Sequence, residues 1–264
     1  MYAPERLKTI KQILVDQKHA DVAALSKKLR VSEVTVRRDL EKLERENFLT
    51  RTHGGAILRE DTGSTGFSHA FPADPCLEEM EEISHIAAQM VRENDIILLS
   101  SGPVNLLLAE KLLSRRHLTV LTNDLNIASL LSENIGIKVV MPCGELDSPT
   151  RSLLGKMAEE TLRNFYVNKA FLEIEGLSIK RGYSVQSIAK ASMLKEMLDI
   201  ASCRVFICTS KCFDKNNFSE ISPLTEANKV ISSPAIPEHY KNFFSKNAIE
   251  LYTDTDSYSR RICI

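Results

Sequence analysis

The 264-residue chain has almost no net charge and lacks an apolar run long enough to cross a membrane. Its formal net charge is only −1 at pH 7, so the chain as a whole is not a general binder of polyanions. Charged residues are scattered through the first 19 residues, which therefore lack the apolar core of a secretory signal peptide. We therefore expect a cytoplasmic protein with no membrane partner.

The cysteines lack the spacing of a metal site. No CxxC pair and no paired histidines occur among Cys76, Cys143, Cys203, Cys208, Cys212 and Cys263. A zinc site, or any other metal or cofactor site, is therefore not expected. Cys143, Cys208 and Cys212 fall on or just after predicted strand ends, where an exposed thiol of low pKa would be reactive. General burial tendencies favour the alternative, which is unreactive thiols in or near the core.

Positive charge is concentrated at the N-terminal end. Of the 34 basic and 35 acidic residues, residues 1–58 contain 12 and 8, a net charge of +4. The remaining 22 basic and 27 acidic residues give the rest of the chain a net charge of −5. This asymmetry indicates that only the N-terminal end meets a polyanion.

Three short amphipathic helices and a hairpin are predicted at this end. Apolar residues at helical spacing form three sets, namely Leu7, Ile10 and Leu14; Val22, Leu25 and Leu29; and Val36, Leu40 and Leu43. Asp21 and Ser32 are suited to cap the second and third helices. The segment FLTRTHGGAIL then predicts two short strands around a turn at Gly54-Gly55.

This layout is typical of a winged helix-turn-helix, whose third helix enters the major groove of DNA. Thr35, Arg38 and Lys42 lie on one side of that helix, opposite its apolar stripe, and Arg37 lies on a flank. An arginine can hold guanine O6 and N7 in two hydrogen bonds. Most charged helix faces are merely solvated, but the basic local charge and the hairpin favour DNA here. The predicted DNA contacts are Ser32, Thr35, Arg37, Arg38, Lys42, Arg51, His53 and Gly54.

A linker and a larger domain follow. Residues 59–82 are poor in large apolar residues and rich in Gly, Ser, Pro and acid, which predicts a linker with the domain boundary near 60–75. We therefore expect a DNA-binding domain at 1–58, a linker at 59–75 and an effector-sensing domain at 76–264.

Strands and helices alternate in the larger domain. Strands are predicted at 95–102, 118–124, 138–144, 169–176, 204–210, 229–233 and 249–254, and intervening helices at 105–113, 153–162 and 188–199. This alternation predicts an α/β fold with a doubly wound, mostly parallel sheet. Several strands end in small or polar residues, and ligands bind outside the carboxyl ends of such strands. These ends therefore outline a candidate ligand crevice.

The segment VSEVTVRRDLEKLERENFLTRTHGGAIL resembles the signature of the DeoR family of bacterial transcription regulators. The family pattern Ser-x-x-Thr-[Val/Ile]-Arg-Arg-Asp-Leu, followed by a Leu and a His-Gly-Gly wing, matches from Ser32 to Gly55. The resemblance implies that Ser32, Thr35, Arg37 and Arg38 contact DNA. The aspartate of the pattern, residue 39, is more suited to pair with a nearby basic side chain, because a carboxylate near phosphates repels them.

The resemblance extends to the larger domain. It implies a fold similar to sugar-phosphate isomerases and CoA transferases, and a sensor for a small, often phosphorylated, sugar-related metabolite. The family's Asp-Ser-Gly-Thr-Thr-like loop corresponds here to SSGPVN at 100–105, where Pro103 and Val104 replace two hydroxyl residues. Pro103 also removes an N–H, so this loop is a poorer phosphate cradle. The predicted effector contacts are Ser101, Gly102, Asn105, Thr122, Asn123, Gly144, Glu145, Glu175, Gly176, Ser210 and Lys211.

Three functions remain open from the sequence. The first is a DNA-binding regulator, a repressor of a carbohydrate or related catabolic operon controlled by a small-molecule effector. Its partners would be double-stranded DNA and further copies of the chain, in a dimer or tetramer, because operator half-sites are spaced by helical turns. The second is a DNA-binding scaffold that has lost ligand binding. The third is a sugar-phosphate isomerase with an accessory DNA module, for which Glu145 and Glu175 are the candidate bases.

Overall fold

The computed structural model describes residues 6–7, 9–11, 13–14, 19–29, 31–45, 49–52, 54–58 and 76–254. These residues fall into two compact units, one within residues 1–72 and the other within residues 73–264. The predicted linker at 59–75, together with His53 and Cys263, lies outside the described residues.

The first unit combines three helices with a small antiparallel sheet. Its described elements are α1 (within residues 6–14), β1 (His19–Asp21), α2 (Val22–Leu29), α3 (Glu33–Arg45), β2 (Leu49–Arg51) and β3 (Gly55–Leu58). The strands lie in the order β1-β3-β2. The predicted helices and the hairpin β2–β3, which we call the wing, are confirmed, whereas β1 was not predicted. Three residues of β1 are too few to produce a periodic pattern.

The apolar stripes of the three helices form the core of this unit. Val36, Leu40 and Leu43 on α3 are fully buried, and Ile10 and Leu14 of α1 pack in the same cluster. Ser32 caps α3 as predicted. Its Oγ accepts a hydrogen bond from the Thr35 N–H at 3.3 Å, and its carbonyl oxygen accepts one from the Val36 N–H at 3.1 Å. The burial of this stripe leaves the opposite face of α3 in solvent.

The second unit is built on a seven-stranded parallel sheet in the order β15-β14-β12-β9-β4-β5-β6. All seven predicted strands are confirmed, at β4 (Ile96–Leu99), β5 (Leu118–Thr122), β6 (Ile137–Val140), β9 (Val167–Glu173), β12 (Ala201–Ile207), β14 (Lys229–Ile231) and β15 (Glu250–Tyr252). The chain runs outward in one direction through β4, β5 and β6, and in the other through β9, β12, β14 and β15. The order therefore reverses between β4 and β9, which is where doubly wound folds bind ligands.

Helices and two smaller sheets complete this unit. The helices are α4 (Leu77–Gln89), α5 (Pro103–Leu112), α6 (Leu125–Leu131), α7 (Lys156–Leu162), α8 (Ile188–Asp199) and α9 (Glu238–Lys246), with short 3-10 turns at Ser210–Cys212 and Leu224–Glu226. The smaller sheets pair β7 (Glu145–Asp147) with β8 (Ser152–Leu154), and β10 (Gly176–Ser178) with β11 (Gly182–Val185) and β13 (Ser219–Ser222). The helix predicted at 153–162 begins later than expected, since its first residues lie in β8.

Helix α4 corrects the sequence prediction, which extended the linker pattern to residue 82. The segment Leu77–Gln89 is helical, and it buries Met80, Ile83, Ile86 and Ala87 against the rest of the unit. The four glutamates of its first two turns concealed this apolar spacing, because they gave residues 76–82 the composition of a solvated linker.

The wing depends on a close approach between β1 and β3 at Gly55. Residue Asp21 pairs with Gly55 across the two antiparallel strands. A Cβ atom on Gly55 would lie 2.3 Å from the carbonyl oxygen of Ala20, whereas a Cβ atom on Gly54 would meet no atom within 4 Å. A side chain would therefore collide with the backbone at Gly55 but would be accommodated at Gly54.

Replacing Gly55 with alanine is expected to destabilise the wing by about 1–3 kcal/mol, because β1 and β3 must separate to admit the methyl group. The matched change Gly54→Ala is expected to alter stability by no more than ~0.5 kcal/mol. Hydrogen exchange of the backbone amides of β3 measures both effects. Equal protection in Gly55→Ala and the wild type would contradict the assigned contact.

Candidate DNA interface and effector pocket

The face of α3 opposite its buried stripe presents most of the predicted DNA contacts to solvent. Ser32, Arg37, Arg38 and Lys42 are exposed, and Thr35 is partly buried. The Ser32 Oγ and Thr35 Oγ1 atoms lie 2.9 Å apart, so these two hydroxyls are hydrogen-bonded at the start of the helix. The structure thus brings these five side chains to one exposed surface of one helix.

Arg37 has a weak partner on its own helix. Its Nη2 atom lies 3.9 Å from Glu33 Oε2, and both side chains are about half exposed. An exposed pair of this kind is worth little. Within the described residues, no ion pair involves Arg38 or Lys42. The guanidinium of Arg38 is therefore available to an external partner.

Asp39 is turned inward and joins α3 to α1. The Arg6 guanidinium donates two hydrogen bonds to the Asp39 carboxylate, from Nε at 2.5 Å and from Nη2 at 3.1 Å. Both side chains are about one-tenth exposed. These hydrogen bonds raise the pKa of Arg6 above its ordinary value. The prediction that Asp39 pairs with a basic side chain is confirmed, and the pair keeps a negative charge away from the exposed face.

The wing positions the remaining predicted DNA contacts. Arg51 lies in β2, and Gly54 is exposed in the turn between the two strands. The Gly54 carbonyl oxygen accepts a hydrogen bond from the Val22 N–H at 2.9 Å, which ties the turn to the start of α2. The side chain of Arg51 and all of His53 lie outside the described residues, so their roles stay predictions.

A pocket of about 290 Å³ lies at the carboxyl ends of β4, β9 and β12, where the strand order reverses. Apolar side chains, among them Met80 and Val104, form part of its lining. The polar lining residues are Glu173, Glu175, Lys190, Thr209, Lys211 and Lys215. Of the predicted effector contacts, only Glu175 and Lys211 line it. The lining combines two carboxylates with three ammonium groups, so it is suited to a polar ligand.

The side chain of Glu173, the last residue of β9, contacts the backbone at the start of α5. Its Oε2 atom accepts hydrogen bonds from the N–H groups of Val104, at 2.9 Å, and Asn105, at 3.1 Å. These are N–H groups of the first helical turn, which have no acceptor within the helix. A Cβ atom on Gly102 would lie 2.3 Å from Glu173 Oε2. Residue 102 therefore has to be glycine for the carboxylate to sit here.

Burial raises the pKa of Glu173 to about 7, and the negative charge of Asp124 contributes to the increase. The Lys190 charge and the two N–H groups favour ionisation but do not outweigh burial. Glu173 is not among the predicted effector contacts. The signal was the segment LEIEG, in which the buried apolar run Ala170–Leu172 of β9 ends in a glutamate two residues before Glu175. An acid at the end of an apolar strand is costly unless it has partners or a function.

Glu175 is held in its ionised form. Burial opposes its ionisation, but the Lys190 ammonium, the Gln186 N–H and the charge of Lys215 outweigh burial and lower its pKa. Lys190 Nζ lies 2.9 Å from Glu175 Oε1, and the Gln186 N–H donates to Oε2 at 2.8 Å. Lys190 thus partners a carboxylate that lies two residues after Glu173, the last residue of β9.

Several other predicted effector contacts join strand ends to one another instead of lining the pocket. The Asn105 side-chain amide donates to the carbonyl oxygens of Ser100 and Phe171, at 2.9 and 3.0 Å. Asn123 accepts from the Ser101 N–H at 3.2 Å through its side-chain oxygen. Fully buried Thr122 accepts through its hydroxyl from the Asp124 N–H at 3.1 Å.

Other predicted contacts lie elsewhere on the sensor domain. Glu145 is exposed at the start of β7, next to Gly144, and neither lines the pocket. Gly176 is required by packing, since a Cβ atom there would lie 2.6 Å from the carbonyl oxygen of Lys215. Ser210 donates from its hydroxyl to Glu79 at 3.0 Å, and its N–H donates to the same carboxylate.

The cysteines divide into two groups. Cys208 and Cys212 are buried, and burial raises the pKa of both thiols, which disfavours the reactive thiolate. Cys143 is exposed, so the expectation of a thiol in or near the core is wrong for this residue. Among the residues that the structure describes, no cluster of three histidine, cysteine or acidic side chains is placed to bind a metal ion. The same residues include no helix of the length and apolarity that a bilayer requires.

Two family profiles match the two units of the chain. The DeoR-like helix-turn-helix domain matches residues 6–62, and the DeoR C terminal sensor domain matches residues 76–234. The chain belongs to the DeoR family. It is accordingly a transcription regulator with a helix-turn-helix domain and a sensor domain, and not an enzyme.

Three curated relatives extend over most of the chain. The uncharacterized HTH-type transcriptional regulator YulB of Bacillus subtilis is 31% identical, covering 89% of this chain and 91% of the relative. The transcriptional repressor AccR of Agrobacterium fabrum is 28% identical, covering 86% and 88%. The lactose phosphotransferase system repressor of Streptococcus mutans is 30% identical, covering 88% and 92%.

The substitution Glu173→Gln is expected to remove a pH-dependent loss of stability. In the folded protein the carboxyl stays protonated up to about pH 7, whereas in the unfolded chain it ionises near pH 4.5. Since the folded state binds the extra proton, the free energy of unfolding of the wild type falls as pH rises through this window, by up to about 3 kcal/mol from this group.

Denaturant unfolding of wild type and Glu173→Gln, at several pH values across that window, measures the effect. The glutamine keeps the volume of the side chain and an oxygen acceptor but does not titrate. The free energy of unfolding of the variant, relative to that of the wild type, should therefore increase as pH rises. A stability difference that stays constant with pH would show that Glu173 does not titrate in this window.

Proposed function

We propose that this DeoR-family regulator is a sequence-specific repressor of a carbohydrate or related catabolic operon. It reads double-stranded DNA with the exposed face of α3, and a small polar metabolite in the sensor pocket controls it. The main support is the geometry of α3, whose buried stripe and inward Asp39 leave Arg37, Arg38 and Lys42 in solvent. Two of its relatives are named as repressors, one of them the lactose phosphotransferase system repressor, and these names agree with the proposed function.

The proposed DNA contacts are of two kinds. Arg38 reads bases, because it lies on the exposed face and a guanidinium matches guanine O6 and N7. The others position the helix on phosphates, with the wing beside it; these are Ser32, Thr35, Arg37, Lys42, Arg51, His53 and Gly54. Operator symmetry makes a homo-oligomer, a dimer or tetramer, the proposed functional form.

The proposed effector contacts are those that line the pocket at the strand reversal, namely Glu173, Glu175, Lys190, Thr209, Lys211 and Lys215. Ser101, Gly102, Asn105, Thr122, Asn123, Gly176 and Ser210 support the surrounding loops. The pocket wall also includes Cys76 and Met80, which lie at the start of α4. Because the linker proposed at 59–75 leads directly into α4, a ligand that moves this wall would act on the chain that leads to the DNA-binding unit.

Arg38→Ala is expected to weaken operator binding by about 1–3 kcal/mol and to relax base preference, because the bidentate contact to guanine is lost. Fluorescence anisotropy with an operator selected from genomic fragments, and with single-base variants of it, measures both quantities. Arg181→Ala is the matched control, since it removes an equally exposed guanidinium from the sensor domain. Unchanged affinity and selectivity in Arg38→Ala would refute base reading by this residue.

Lys211→Ala is expected to abolish the thermal stabilisation that an effector gives to the wild type. Lys211 lines the pocket at the end of β12, and its ammonium acts as a point charge for a polar ligand group. Thermal-shift screening against free sugars, polyols and their phosphates identifies the ligand, with the exposed Lys180→Ala as control. If no compound stabilises the wild type and none changes operator affinity, the scaffold alternative gains support.

A further inference from the structure

We propose that Glu173 determines the ligand specificity of the sensor pocket by filling the anion position at the start of α5. The pocket then takes a ligand that presents an uncharged hydrogen-bond donor to this point, such as a sugar or polyol hydroxyl, and excludes a phosphate from it. This inference rests on the proposed effector function of the same pocket. It adds the chemical class of the ligand group that faces α5.

The backbone at the start of α5 supports this assignment. The first turn of a helix combines unbonded N–H groups with the positive end of the helix dipole, which suits an anion. In this ten-residue helix the Glu173 Oε2 atom already accepts from two of those N–H groups, at 2.9 and 3.1 Å. Pro103, the first residue of α5, has no N–H to offer. A phosphate would have to displace the carboxylate to reach the remaining donors.

The lack of space around Gly102 also indicates that Glu173 fills the anion position at the start of α5. A single added Cβ atom at Gly102 would lie 2.3 Å from Oε2 and 2.9 Å from Oε1 of Glu173. The carboxylate is thus packed against the loop backbone at the point where a phosphate oxygen would have to approach. The position is therefore filled by volume as well as by charge.

The second carboxylate oxygen indicates what the pocket accepts. Within the part of the chain that the structure describes, Glu173 Oε1 has no hydrogen-bond partner, whereas Oε2 has two. Glu173 also lines the pocket. Oε1 accepts hydrogen bonds when the carboxyl group is ionised. A ligand hydroxyl that donates to Oε1 would give both groups a hydrogen-bond partner. Once Glu173 has ionised, a ligand phosphate would meet repulsion at the same point.

The pocket lining also includes Lys211 and Lys215. A negatively charged group elsewhere on a ligand can pair with these ammonium groups. The proposal therefore concerns the ligand group next to Glu173 and not the net charge of the whole ligand.

Inorganic phosphate is the probe that tests the assignment on the full-length protein. Isothermal titration should show that Glu173→Ala, which exposes the two N–H groups, binds phosphate about tenfold more tightly than the wild type. Glu173→Gln keeps an oxygen on those N–H groups without the charge and should show no such gain. Equal phosphate affinity in wild type and Glu173→Ala overturns the proposal. A gain in Glu173→Gln as large as in Glu173→Ala also overturns it, because charge alone would then explain the effect.

Two further measurements keep the test decisive. Amide NMR shifts of Val104 and Asn105 on phosphate addition separate binding at α5 from binding at Lys211 and Lys215, and no shift in Glu173→Ala overturns the proposal. Glu175→Ala removes the neighbouring carboxylate but leaves these two amides occupied, so their signals should not move. Glu173→Ser replaces Glu173→Ala if melting without phosphate shows that the alanine variant is unfolded.

A ligand panel tests specificity directly, with glucose, sorbitol and their 6-phosphates on wild type and Glu173→Ala. The ratio of phosphate-ester affinity to free-compound affinity should rise in the variant. An unchanged ratio for a compound that binds both proteins overturns the proposal. If no panel compound binds either protein, the proposed effector function is weakened, and the inorganic phosphate titration still decides the role of Glu173.

Discussion

The contact between the Glu173 carboxyl group and the first N–H groups of α5 joins the end of β9 to the start of α5 in the wall of the pocket. A helix that begins at the end of a buried strand must have its N-terminal donors satisfied, by an anion, a polar side chain or water. Here the neighbouring strand β9 supplies the acceptor from its own last residue. Residue 102 must be glycine because the Glu173 carboxyl group packs against it. Lys190 is bonded to Glu175, two residues after Glu173. The pocket is thus formed around a carboxyl group that the chain itself contributes.

The fold was largely predictable because its strands are short apolar runs separated by helical patterns. Runs such as DIILLSSG and RVFICTS are apolar on both faces, as the centre of a parallel sheet requires, and each became a strand. Helix α4 was missed because four glutamates in its first two turns obscured Met80 and Ile83. Strands β1, β10, β11 and β13 have only three or four residues each. The pairings of β1 with β3 and of β11 with β13 also join segments that are distant in sequence.

The two candidate sites differ in how far the sequence predicts them. The DNA face lies on one helix, so the periodicity that buries Val36 and Leu40 also places Arg38 and Lys42 in solvent. The pocket is assembled from three strand ends and α4, and no local pattern shows which polar residues there face a ligand. Asn105 and Asn123 are polar and lie at the correct edge of the sheet, yet both bond to neighbouring loops. Glu173 directly follows apolar Leu172 at the end of β9, and the prediction named Glu175, two residues further along the chain, instead.

Helix α4 also sets where the sensor domain can be separated from the rest of the chain. Its first turns contribute Cys76 and Met80 to the pocket wall, and Glu79 accepts both hydrogen bonds that Ser210 donates at the end of β12. A fragment trimmed at residue 82, where acidic composition ends, would keep every strand of the large sheet. It would nonetheless lose one side of the cavity and leave the Ser210 N–H without its acceptor. Residue 76, and not the end of the acidic stretch, is therefore the latest start for an isolated domain with an intact cavity.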